Sequence, residues 1–190
     1  MRNKTQALLW VIVLVLALPI AAWAFAKPVR VLAPQFEGLS CVGRVCVDDV
    51  SRVAEALALY RGAVAFVDGS VGVLQSPPRA LFCSTPACSA DFGFGRRQAY
   101  TVGTFGIAIS DRGWRPYYVR HELIHHLQNE HLGSVRNSFF KPAWFREGMA
   151  YSLSGDPRTL PEPLQRYRAQ FDAWLREVGM AGLWSQAERL

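Results

Sequence analysis

Apolar and polar positions divide the chain into two unequal parts. Ala7 to Ala26 (ALLWVIVLVLALPIAAWAFA) is apolar for twenty residues, with Arg2 and Lys4 before it and Lys27 after it. Beyond Lys27 the apolar positions recur in short periodic runs. Val50, Val53, Ala54, Ala56, Leu57 and Tyr60 fall near one face of a helix from Val50 to Tyr60, which Asp48 and Asp49 can cap. Ala63 to Val67 and Ala80 to Cys83 are apolar runs bounded by Gly, Ser and Pro, and are expected as strands. Tyr100 to Ser110 (YTVGTFGIAIS) is expected as a further strand, with Gly103 and Gly106 marking bulges or a close backbone approach.

Pro28 to Gln35 reads as a linker or first strand, and DFGFGRR, ending at Arg97, as a loop. Asp111-Arg112-Gly113 turns the chain into a helix from Pro116 to Asn129. Ser134 to Lys141 reads as a loop, and Pro142 as the first residue of a helix, PAWFREGMAYSL, that Gly155-Asp156-Pro157 stops. Leu164 to Val178 is amphipathic, with Leu164, Tyr167, Phe171, Trp174 and Leu175 inward and Trp184 left to dock the tail. Strands with one helix come first and helices last, an α+β arrangement over residues 27–190.

At 190 residues the chain suits one domain with a real core. Residues 1–26 are expected to be a signal peptide or a single N-terminal membrane anchor, since the basic start and apolar length fit both. Either places the domain outside the cytoplasm, periplasmic or extracellular. The four cysteines agree with export. They form two C-x4-C pairs, Cys41 with Cys46 and Cys83 with Cys88, for which local disulfides are preferred over a four-thiolate zinc site. Of the net charge of +6, Arg2 and Lys4 carry two units, leaving +4 for the exported part. No basic run or aromatic-interleaved stripe indicates a nucleic-acid partner.

The chemistry gathers in YVRHELIHHLQNEHLG, which holds every histidine of the protein. His121 and His125 stand four residues apart, on one face of a helix, and can direct two imidazoles at one ion such as zinc. Glu122, about 100° further round, can stand beside the ion without binding it, as a general base must. Two residues compete for the third ligand. His131 gives a H-E-x-x-H-x5-H spacing that needs a sharp turn after His125, at a position held by Gln128. Glu147, in the second helix, is costly to bury unless paired or metal-bound, and Gly148 beside it permits close helix approach. The plain alternative for Glu147 is an ion pair with Arg146 or Arg120.

HELIHH followed by WFREGMAYSLS resembles the gluzincin branch of zinc metallopeptidases, over roughly the quarter of the chain from Gly106 to Gly155. The resemblance implies a small zincin-like domain with one zinc ion held by His121, His125 and Glu147. Glu122 would be the catalytic base, hydrolysing peptide bonds through a zinc-activated water. It also implies a peptide or protein substrate lying along an edge strand near Gly106 to Ser110. The chain departs from the pattern at Tyr151, where several gluzincins carry an acidic residue. A residue that stabilises the transition state is not singled out, since Tyr117, Tyr118, His126, Tyr151 and Tyr167 all qualify by type. The alternative expectation is a catalytically inactive zinc-binding domain that holds peptides or envelope proteins.

Overall fold

The structure is a computed structural model that describes residues 2–190, without the side chains of residues 2, 3, 5, 14, 16, 18–22, 24 and 25. Helix α1, Arg2–Phe25, carries the apolar run. The stretch on which the choice between leader and anchor turns lies in part outside the described residues. Among the described residues no helix is long and apolar enough to cross a membrane.

Five strands form one sheet. Strands β1 (Ser40–Val42), β2 (Val45–Val47), β3 (Arg79–Phe82), β4 (Ala99–Val102) and β5 (Gly106–Ile109) are ordered β1-β2-β3-β5-β4. The three central strands are parallel, and β1 and β4 close the two edges antiparallel. Helices α2 (Val53–Ser70) and α3 (Pro86–Asp91) lie between strands, and α4 (Pro116–Leu132), α5 (Ser134–Phe140), α6 (Ala143–Leu153) and α7 (Leu164–Ala187) follow the sheet. The α+β class is as expected.

Alternation along the central strands builds two cores. Val45, Val47, Ala80, Phe82, Ile107 and Ile109 face the helices, packing against residues such as Ala56, Leu123, Ile124 and Phe145. Cys46, Leu81 and Ala108 face the other way, against Val31, Phe92 and Phe94. Burial on both faces explains why these strands read as unbroken apolar runs.

Both local disulfides form, Cys41–Cys46 across the β1–β2 hairpin and Cys83–Cys88 between β3 and α3. They indicate an oxidising, exported environment. Asp49 caps the chain entering α2 by accepting from the Ser51 amide, whereas Asp48 accepts from the Ser84 and Thr85 amides beyond β3.

Several expectations are corrected. Ala63 to Val67 continues α2 rather than forming a strand, because Ala56, Tyr60, Ala63 and Val67 make one buried helical stripe. Tyr100 to Ser110 is a hairpin, not one strand, since Gly103 at φ 50° reverses the chain between β4 and β5. Residues 27 to 37 form two 3-10 turns. Pro86–Asp91 is helical at the entry to the Gly-rich loop. Ser134–Phe140 is a helix that buries only Asn137, so no apolar stripe announces it. Pro142 caps α6 from outside.

Candidate metal centre

Helix α4 brings His121, Glu122 and His125 to the sheet's β4 edge, and α6 brings Glu147 from the opposite side. Gly148 lets α6 sit against α7. A β-carbon there would stand 2.3 Å from the Tyr167 carbonyl oxygen and 2.8 Å from Phe171 Cβ. The small residue beside Glu147 therefore serves the α6–α7 contact, and that contact fixes where Glu147 stands.

The three expected ligands converge. His121 Nε2 and His125 Nε2 are 3.1 Å apart, and Glu147 Oε2 is 3.8 Å from the first and 3.7 Å from the second. Donors at zinc-ligand distances of about 2.0–2.1 Å stand about 3.3 Å apart in a tetrahedron. The spacing and the donor set thus fit a single cation, and this His–His–Glu group could hold a metal ion. Neither Arg120 nor Arg146 forms an ion pair with Glu147 among the described residues. Arg120 lies over the Phe66 ring instead.

The charges respond to the crowding. Burial, together with the positive charge of His125, lowers His121 to about 3. Burial would lower His125 as well, but the Glu147 carboxylate outweighs it and raises His125 to about 9. Burial would raise Glu147, yet His125 holds it down at about 2. The Glu147 carboxylate thus favours positive charge on His125 and not on His121, in the space where a cation would sit.

Two residues that the motif did not single out support the centre. Gln128, fully buried, has its Oε1 2.9 Å from His125 Nδ1 and donates through Nε2 to the Arg146 carbonyl at 3.0 Å. It fixes the His125 ring with Nε2 free for a metal, and ties α4 to α6. Thr101, on β4, has its hydroxyl 2.7 Å from Glu122 Oε2 and 2.9 Å from the Glu122 carbonyl oxygen. An ionised Glu122 accepts from that hydroxyl. A protonated Glu122 can donate to it while the hydroxyl turns to the carbonyl. Burial raises Glu122 to about 7 against the opposing pull of His125 and Thr101. The Thr101 contact and the tie from Gln128 to Arg146 join elements far apart in sequence, which no local pattern signals, whereas the Gln128–His125 contact lies within one helix turn.

The remaining candidates separate clearly. His131 is not among the converging donors, and its ring stacks on Trp184 at 3.8 Å. The helix runs on to Leu132 without the turn that His131 would need. His126 is fully buried against the Ser76 carbonyl and Glu130. Tyr118 and Tyr151 line the cleft over the centre, while Tyr117 and Tyr167 do not. Tyr151 packs edge-on against His121 at 4.4 Å. Tyr118 accepts from Arg158, which Asp156 holds.

The cleft has a volume of about 460 Å³ and runs along β4. The edge strand beside the centre is thus β4, not Gly106 to Ser110, because β5 is covered by β3 on one side and β4 on the other. No protein family, curated protein or solved structure matches this chain.

Proposed function

We propose that this protein is a zinc-dependent metallopeptidase of gluzincin-like, zincin-like design. The convergence of His121 Nε2, His125 Nε2 and Glu147 Oε2 beside Glu122 and an open strand edge carries this reading. When bound, the zinc ion supplies a Lewis acid that acidifies water and polarises a carbonyl.

The protein's own residues do the rest. A peptide adds as a strand to the free edge of β4, which aligns its backbone across the cleft. Glu122 takes a proton from water as the water oxygen bonds to the peptide carbonyl carbon. It then delivers that proton to the departing amine nitrogen as the carbon–nitrogen bond breaks. Thr101 satisfies the Glu122 carboxyl in both protonation states. Gln128 holds the His125 ring in its working tautomer.

A second reading, a zinc-binding domain that holds peptides or envelope proteins without cutting them, draws on Tyr151, the aromatic ring packed on His121. One experiment separates the two. Zinc-loaded protein and its Glu122→Gln variant are incubated with a peptide library and analysed by mass spectrometry. The peptidase reading expects wild-type cleavage that Glu122→Gln abolishes with zinc retained. Zinc binding with no cleavage of any peptide favours the second reading.

A further inference from the structure

Two arginines line the metal-centre cleft without a carboxylate of their own. Arg97 stands just before β4, and Arg146 just before Glu147. Among the described residues neither lies within 4.0 Å of an acidic side chain. Among the described residues, the acids lining the cleft are Glu122 and Glu147. Their two charges balance a divalent ion, so with such an ion bound both guanidinium charges remain uncompensated.

Both arginines are placed rather than free. Arg97 donates through Nη2 to the Gly93 carbonyl at 3.0 Å and through Nε to the Phe94 carbonyl at 3.4 Å, with its guanidinium over the Tyr100 ring. These contacts engage one edge of the fork and leave Nη1 for a ligand. Arg146 is held at its backbone, where its carbonyl accepts from Gln128. Its Nε is buried with no hydrogen-bond partner among the described residues. The other buried orphan lining this cleft is Asn137 Oδ1, an acceptor suited to a backbone N–H.

We propose that the cleft selects anionic peptides, with Arg97 and Arg146 binding a carboxylate of the ligand. The proposal rests on the peptidase reading for its peptide, but its charge preference is measurable as binding alone. A carboxylate can come from an Asp or Glu side chain or from a free C-terminus, and both present the same planar pair of oxygens to a guanidinium.

The test uses the full chain loaded with zinc and three fluorescent decapeptides of otherwise identical sequence. One carries internal Glu residues and an amidated end, the second has Gln in their place, and the third is the Gln peptide with a free carboxylate. Anisotropy gives the affinities, and mass spectrometry of the same samples records cleavage. The Glu peptide is expected to bind about tenfold or more tightly than the amidated Gln peptide. If the free-carboxylate peptide matches it, the chain terminus is also a source of the recognised group. Arg97→Gln with Arg146→Gln should bring all three peptides to within about threefold. The corresponding double Lys variant should keep most of the preference, which separates lost charge from a damaged fold. Arg96→Gln, an exposed neighbour outside the cleft, should change nothing. Equal affinity for all three peptides overturns the proposal, and cleavage without charge preference does so while leaving the peptidase reading intact. Charge-selective binding without cleavage overturns only that reading.

Discussion

Helix α4 carries two histidine–glutamate clusters on adjacent faces, and they are opposites. On one face His125 meets His121 and a glutamate from another helix, and the donor atoms point at a common space in an open cleft. On the other, His126 meets Glu130 from its own helix, four residues on. There the Glu130 carboxylate and the His126 Nε2 are spent on backbone, while His126 Nδ1 is buried without a partner among the described residues. Glu130 accepts from the Gln75 amide at 3.0 Å and the Ser76 amide at 2.8 Å, and His126 Nε2 lies 3.0 Å from the Ser76 carbonyl. The second cluster pins the segment after α2 to α4. Residue types alone do not distinguish the two. In the first cluster donor atoms from two helices converge on one space, and in the second the carboxylate is already taken up by backbone amides.

Substitutions sharpen the contrast. The largest effect is expected from His121→Ala or Glu147→Ala, which should drop bound metal from one per chain to none while circular dichroism keeps the fold, read by elemental analysis. His126→Ala should do the reverse. Metal stoichiometry stays at one, and the emptied buried site, with the His126 contacts to the Ser76 carbonyl and Glu130 lost, costs about 2–4 kcal/mol of stability in denaturant titration. Gln128→Ala should weaken metal about 10- to 100-fold by releasing the His125 ring, measured by chelator competition.

Smaller effects lie further from the centre. Asp156 is held below the usual carboxylate range, because the hydrogen bonds from Arg158 outweigh the raising effect of burial. A lowered folded value means that this stabilisation is complete above the unfolded pKa near about 4 and is lost as pH falls through the folded value. Asp156→Asn should therefore cost about 1 kcal/mol at neutral pH, the pair being partly open to solvent, and nothing in strong acid. His131→Ala should cost under about 1 kcal/mol through loss of its stacking on Trp184, and leave metal binding unchanged.

The contrast also explains what could be read before the fold was known. The convergence of His121, His125 and Glu147 is legible, because helical spacing and a lone glutamate on an otherwise apolar helix are local signals. The Cys pairs were legible for the same reason. The β4–β5 hairpin was not, since YTVGTFGIAIS is apolar on both sides of Gly103 and only the register with β3 decides which half is covered. Helix α5 leaves no sequence signal because it buries almost nothing. The second half of α2 is masked by its flanking glycines, although its stripe from Ala56 to Val67 holds the helical period. Thr101 acts through a partner twenty-one residues away, and Gln128, though one turn from His125, is oriented by the Arg146 carbonyl eighteen residues away, at distances where sequence pattern has no periodicity to report.

The most direct measurement is metal content per chain, by elemental analysis of gel-filtered protein with both disulfides intact and zinc offered. We expect one zinc in the wild type, one in His126→Ala and none in Glu147→Ala. A wild type that takes up no zinc, or a Glu147→Ala protein that keeps it fully, would contradict a centre built from His121, His125 and Glu147.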